Sequence, residues 1–425
     1  LQSKREGVCV CVERERERER EMSEASSSRG EVGVEEGNML AEDAEESDEF
    51  HTDSDCEETL DEKPKSLIFN ILKQLRPNMD LSRITFPTFV LEPRSLLEKL
   101  TDFLSHPMLL VNAGDVEDPE ERFVEVVRWY LSGWHVRPKG PKKPYNPILG
   151  EIFEAEYALE EGSRLKFVAE QVSHHPPIAA FHAACRPRNL VMNGYYHPRS
   201  RFYGNSAGTI GEGICHLHFL HRGERYEMTW PNVAVKGIFL GKLRMEMAGN
   251  VYVKCEETGY LAELEFKNKG FFGGQPNSIQ GKIKELRGKQ KKLFRIIGRW
   301  DRELLIHPES SKKDKKVFFD PKDHVKWKKL VRRLDRQEPN ESRRVWADLT
   351  AAIKGRDQKL AGECKHKVEE EQRKLRRERE EAGIEWEQRF FHKVGEDYWV
   401  YNDINLTPYD PSEEGAASTV SAGSS

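Results

Sequence analysis

Glu170-Gln171-Val172-Ser173-His174-His175-Pro176-Pro177 is the most informative stretch of this chain. Two adjacent histidines close a run with strand character, and two prolines follow at once. Successive side chains of an extended chain point to opposite sides. Pro176, however, disfavours the helical conformation for His175 and sets a turn, so both imidazoles can reach one place at the strand's end. A protonated pair offers up to four N–H donors and suits a phosphate, which in turn favours the charged form. Spacing alone leaves three readings open: an anion site, a structural histidine pair, and a metal site.

Around this stretch the sequence has a strand texture. Short segments rich in β-branched and aromatic residues, at 164–170, 179–186, 201–206, 208–220, 224–230, 250–255 and 260–266, are punctuated by Gly, Pro and Asn. Many short strands at regular spacing predict a meandering antiparallel sheet or barrel, with hairpins near Gly194, Gly223 and Gly259. Helical periodicity flanks it. Ser66 can cap a short helix with Leu67, Ile68, Ile71, Leu72 and Leu75 on one face, ended by Pro77. A second helix is predicted over 94–106, with Leu96, Leu97, Leu100, Phe103 and Leu104 as its stripe, and a third over 120–130. The pattern turns helical again through 343–382. The fold class expected is therefore mixed α+β.

Three further groups of residues invite a functional reading. Pro138, Pro141, Pro144 and Pro147 would hold a stiff, extended lip bearing Lys139, Lys142 and Lys143 beside Asn146. An ordinary proline-rich surface loop reads the same way. Lys365, Glu369 and Arg373 recur at fourfold spacing and share a helical face, which by itself describes an ion-pair ladder. The helix at 67–75 is below the roughly 12 residues that are stable alone in water, so it must cover something apolar. It can be a core helix, a membrane-surface helix or a lid.

Composition narrows the classes. The 425 residues are 37% hydrophobic and 33% charged, with a net charge of -5 that argues against nucleic acid as the main partner. No window approaches the roughly 18–20 apolar residues of a membrane-spanning helix. Seven cysteines without a CxxC pair fit reduced thiols better than disulfides or zinc. HExxH and P-loop spacings are missing, and nothing in the sequence calls for catalysis or a cofactor.

Residues 1–21 read as VCVCV followed by alternating Glu and Arg, which is what GT and GA dinucleotide repeats would encode. They are expected to be a translated leader with Met22 as the start, the alternative being an exposed charged helix. Residues 22–65 are dominated by Glu, Asp, Ser and Gly and are expected to be disordered. The foldable domain is placed at 66–408, and 409–425 is read as a flexible tail.

The complete EQVSHHPP stretch resembles the fingerprint of the oxysterol-binding-protein-related family. Other parts agree in the same order: SRITFPTFVLEP at 82–93, KPYNPILGE at 143–151, Trp300-Asp301, the helix with Lys365, Glu369 and Arg373, and Trp386 to Phe391. The resemblance implies a large incomplete antiparallel β-barrel with a lipid tunnel, an N-terminal lid helix and a C-terminal helical region. It implies exchange of a sterol, or phosphatidylserine in its place, against phosphatidylinositol 4-phosphate at membrane contact sites, without enzymatic activity. A lipid sensor that loads without net transport is the alternative.

By the same resemblance Lys143, Asn146, His174, His175, Lys365, Glu369 and Arg373 grip the inositol phosphate headgroup. The family's setting is cytosolic, with transient binding to ER, Golgi or other membranes. The layout is similar to the small plant members without a pleckstrin-homology module. A receptor motif for ER-resident VAP proteins is only poorly matched, at 49–55 or at Phe318-Phe319-Asp320.

Overall fold

The computed structural model describes residues 44–46 and 88–409, apart from 139, 141, 204–205, 238–243, 269–274 and 396–397. Segment 1–21, the lid residues Leu67, Ile68, Ile71, Leu72 and Leu75, the first receptor motif and the tail beyond 409 lie outside the described residues.

Sixteen strands among the described residues form one curved sheet. Ile152–Ala158, Arg164–His174, Pro177–Cys185 and Leu190–Phe202 are successive antiparallel neighbours. The order continues through Ser206–Glu212, Asn232–Lys236, Arg244–Cys255, Tyr260–Lys267, Ser278–Glu285, Lys292–Arg299, Leu304–Pro308 and Lys316–Phe319. Ile214–Phe219 and Glu224–Thr229 pair across from Leu190–Phe202 to Arg244–Cys255. Leu330–Arg332 returns to the first strand through Leu330 and Glu156. Among the described residues the two ends of the order do not pair with each other, so the barrel is incomplete.

The sheet is covered on both faces where the histidine motif lies, and there its strands read as nearly continuous apolar runs. Phe167, Ala169, Ala179, Phe181 and Ala183 face the main core beneath the helices Pro107–Asp115 and Pro119–Ser132. Val168, Val172 and Ala180 face the other way, onto Phe391 and Trp399 of the C-terminal hairpin Phe391–Val394 and Tyr398–Tyr401. The helix Pro119–Ser132 starts where the sequence says it should. Asp118 accepts from the backbone N–H groups of Glu120 and Glu121 at 3.0 and 2.9 Å, and Pro119 needs no donor at that position. Phe123, Val126, Val127 and Trp129 are then carried into the barrel, each at most 2% exposed.

Several sequence expectations are corrected. The predicted helix 94–106 is broken into a strand, Leu91–Ser95, one helical turn, Leu96–Lys99, and a 3-10 turn, Leu100–Leu104. Leu91–Ser95 pairs in parallel with Lys143–Tyr145, and Pro107 holds His106 outside helical geometry, so a new helix begins there. Of the region 201–206, Arg201 and Phe202 end one strand and Ser206 begins the next. Gly194 lies inside the strand Leu190–Phe202: a Cβ there would stand 2.6 Å from the Ile214 carbonyl oxygen and 2.7 Å from the Phe181 ring. Close approach of neighbours, not a turn, requires the glycine. The reversal occurs earlier, at Asn189 with φ 53°.

Residues Ala44–Glu46, inside the segment expected to be disordered, pair antiparallel with Leu330–Arg332. Strand addition to an open sheet edge uses backbone groups, and composition does not report it. Phe318 and Phe319 are 2% and 1% exposed, which makes the second receptor motif inaccessible.

Candidate functional site

The motif EQVSHHPP divides into a buried half and an open half. Glu170 and Gln171 are fully buried. The Glu170 carboxylate accepts the backbone N–H groups of Arg389 at 2.9 Å and Phe390 at 2.8 Å, which fixes the C-terminal segment against the strand. Gln171 exchanges backbone bonds with the lip: its carbonyl accepts from Gly150 at 3.0 Å and its N–H donates to Glu151 at 2.9 Å. His174 is half-buried and His175 exposed at the strand's end, their rings perpendicular with centroids 4.6 Å apart. His174 Nδ1 donates to the Pro147 carbonyl at 2.9 Å, so its Nε2 is the atom left to face the site.

The lip is held from below by one carboxylate. Glu151, completely buried, accepts from Ser342 Oγ at 2.7 Å, Trp346 Nε1 at 2.9 Å and the Ile148 backbone at 3.0 Å, and from Ser95 Oγ as well. Desolvation raises its pKa and these donors pull it partly back. Gly150, at φ 75°, lies against the Trp386 ring, which a Cβ would meet at 2.1 Å. The lip therefore carries exposed Lys143 and Asn146 on a fixed backbone.

The opposite wall is the helix Gln358–Ala382, capped by Asp357 and ended by Gly383 at φ 66°. Lys365, Glu369 and Arg373 do share a face. Lys365 Nζ meets Glu369 at 2.6 Å, Arg373 meets the other Glu369 oxygen at 3.5 Å, and Arg373 also pairs with Glu370.

The two walls act on each other electrostatically. Burial lowers the pKa of Lys143, although its side chain reaches solvent, because protein surrounds it; Lys365 lowers it further and Glu369 raises it. His174 is depressed to about 4 by burial and by His175, with Arg376 adding to the effect and Glu369 and Pro147 opposing it. Lys143, His174, Lys365 and Glu369 thus converge across more than 200 positions of sequence, two ammonium groups and an imidazole beside one carboxylate, around a space suited to a phosphate. Sequence reading missed Arg376, one turn beyond Arg373, and missed Glu151 and Glu170 as anchors. The one local signal is that a carboxylate inside an apolar strand, as at Glu170, demands buried donors, which does not say what segment supplies them.

Inside the barrel, Phe103, Trp129, Tyr130, Trp134, Met192, Cys215, Met228 and Trp230 line a small apolar cavity between the helices and the sheet. Among the described residues, no group of three or more metal-ligating side chains occurs and no helix is long and apolar enough to cross a membrane.

A barrel with an aromatic interior and a cationic rim defines a lipid-binding domain. The oxysterol-binding protein family model matches residues 69–409, and the chain belongs to that family. It is 42% identical to an oxysterol-binding protein homolog of Schizosaccharomyces pombe over 82% of this chain and 75% of that one. It is 41% identical to oxysterol-binding protein 4 of Dictyostelium discoideum, over 84% of this chain and 78% of that protein. It is 42% identical to human oxysterol-binding protein-related protein 5, where the match spans 84% of this chain but 41% of the human protein. The Osh1 ORD domain solved with cholesterol superposes with a TM-score of 0.69 at 25% identity, over 87% of this chain and 93% of that domain. The Saccharomyces cerevisiae Osh3 ORD solved with PI(4)P shares the fold, with a TM-score of 0.59 at 23% identity over 91% and 98%.

Proposed function

We propose that this chain exchanges a sterol against phosphatidylinositol 4-phosphate between membranes, each lipid occupying the same barrel in turn. The observation that carries this reading is the convergence of Lys143 and His174 with Lys365 and Glu369 at the barrel rim. In it Lys143, Lys365, Arg373, His174 and His175 donate to the doubly anionic phosphate, Asn146 donates from the lip, and Glu369 orients the cations and accepts from inositol hydroxyls. The flat aromatic faces of Trp129, Trp134 and Trp230 suit a rigid ring system better than two flexible acyl chains. Burying either apolar body contributes about 25 cal/mol per Å² removed from water. Mutually exclusive occupancy lets a gradient of one lipid drive the other. The protein works as a peripheral visitor to ER, Golgi or other membranes.

Liposome extraction and transfer tests this. His174→Ala with His175→Ala should abolish uptake of phosphatidylinositol 4-phosphate and leave sterol uptake intact; unchanged uptake refutes the headgroup assignment. Mass spectrometry of co-purifying lipids decides between sterol and phosphatidylserine. Release of inorganic phosphate would revive an enzyme, which this reading excludes.

A further inference from the structure

The helix that carries Lys365, Glu369 and Arg373 is anchored unevenly. Its first half packs through buried Ala361 and half-buried Cys364 and Val368 near the helix Ala347–Lys354. From Arg373 to Ala382 every residue is exposed except Arg379, which is half-buried. Surface ion pairs among neighbours on one helix add little, so the direction of this far end needs an outside contact. That contact comes from the segment that follows. The Ile384 N–H donates to the Arg379 carbonyl at 3.0 Å, and the chain then runs without regular structure through Gln388. Within it, the Trp386 ring lies under the Arg379 guanidinium, 5.2 Å from centroid to carbon. The six-membered part of the same ring stands against Gly150, where a Cβ would collide with it. Gly150 belongs to the lip: its N–H donates to the Gln171 carbonyl at 3.0 Å and its own carbonyl accepts from Asn340 Nδ2 at 3.1 Å. Further on, Gln388 Nε2 donates to the Val172 carbonyl at 3.2 Å, beside the Glu170 bonds to Arg389 and Phe390. Trp386 is 39% exposed, too open to serve the core, yet it touches both walls of the proposed headgroup site.

We infer that Trp386 is a positioning residue: resting on Gly150 and under Arg379, it sets the distance between the lip and the Arg373 end of the helix, and with it the width of the phosphate site. Lys365 and Glu369 lie in the anchored half and keep their places without it. Arg373 and Arg376 lie in the half that depends on it. The spacing has an electrostatic signature, because Arg376 acts on His174 across the gap, alongside His175, Glu369 and the Pro147 carbonyl. Only a large aromatic side chain supplies both contacts, a flat face for the guanidinium and an edge that reaches the lip. What fills the site is taken from the exchange reading, on which the inference rests in that respect; the clasp between the walls is independent of it.

The test is a double-mutant cycle on the full chain, with extraction of phosphatidylinositol 4-phosphate and of sterol from liposomes, thermal unfolding, and histidine titration by NMR. Trp386→Ala should weaken phosphatidylinositol 4-phosphate binding by about fivefold, the size of one exposed cation–π contact, and leave sterol extraction and unfolding unchanged. Trp386→Phe, which keeps an aromatic face, should recover part of the loss. Combined with Arg373→Ala, Trp386→Ala should add little, because it acts through that end of the helix. His174 should titrate at higher pH in Trp386→Ala, since Arg376, one of the groups that depress it, is no longer held near. Additive losses in the cycle, an equal loss of sterol extraction, no recovery in Trp386→Phe, or an unmoved His174 overturns the inference. A parent that extracts no phosphatidylinositol 4-phosphate breaks the exchange reading, and the His174 titration then decides the clasp by itself.

Discussion

The two walls of the proposed headgroup site are built by opposite means. The lip and the end of Arg164–His174 are locked by buried carboxylates, Glu151 with four donors and Glu170 with two backbone N–H groups. The helix Gln358–Ala382 has a single buried residue, Ala361, over 25 positions, with Cys364 and Val368 packed half-buried against the helix Ala347–Lys354. One wall is specified by buried polar satisfaction, the other by solvated charge. Binding energy and folding energy therefore reside in different residues, and substitutions should separate them.

The largest effect is expected at the locked wall. Glu151→Ala leaves the Ser95, Ser342, Trp346 and Ile148 donors without their acceptor in a dry site, and should cost about 3–5 kcal/mol of stability. Denaturant unfolding measures it. A cost below about 1 kcal/mol would mean that the lip is not held from beneath.

Acid should act mainly on the barrel and its locked side. His135, His182 and His218 are depressed to about 3 by burial, and His106 and His174 to about 4. A lowered histidine pKa means that the folded state prefers the neutral ring. Its stabilisation is complete above the unfolded value of about 6.5 and is lost as pH falls toward 3 or 4, at about 2 kcal/mol per group by pH 5. His174 alone of these faces the proposed phosphate, which favours the imidazolium. Headgroup binding should thus take up a proton near neutral pH, seen as a dependence of the calorimetric enthalpy on the buffer's ionisation enthalpy. A buffer-independent enthalpy would leave His174 neutral in the complex.

The fold was largely legible because strand periodicity and turn residues are local signals. The helix expected over 120–130 is found at Pro119–Ser132, and Gly223 and Gly259 announced hairpins. What failed was non-local. The strand Leu91–Ser95 exists because Lys143–Tyr145 lies beside it, and Gly194 is small because Phe181 and Ile214 press on it. The same division holds for the site. The histidines, the lip and the fourfold ladder could each be picked out along the chain, but their company could not be deduced from spacing, and only the family resemblance joined them. Glu151 and Glu170 went unread because an anchoring role depends on donors contributed by segments some 190 to 220 positions away.

At the solvated wall, Arg373→Ala should weaken phosphatidylinositol 4-phosphate binding by about 1–3 kcal/mol, roughly tenfold or more, as loss of a charge-assisted bond does. Stability should stay within about 0.5 kcal/mol, since the side chain is exposed and its ion pairs are surface pairs. Lipid titration and thermal unfolding on the same preparation check both halves. A large stability loss would contradict the contrast between the walls.

Glu369→Gln is the most discriminating of the small effects. Glu369 binds Lys365 at 2.6 Å and raises the pKa of both Lys143 and His174, so its charge has two consequences of opposite sign for the ligand. Removing it frees Lys365 and Arg373 to meet the phosphate, and it withdraws support from the protonated forms of Lys143 and His174. The two should nearly cancel near neutral pH, leaving affinity changed by less than about threefold, within the range of a surface ion pair. The cancellation cannot hold at every pH. With the carboxylate gone, His174 charges only at lower pH, and the pH dependence of headgroup binding should move in that direction. A loss as deep as that of Arg373→Ala, with no movement of the pH profile, would show that Glu369 meets the inositol hydroxyls directly and that its hold on the cations is secondary.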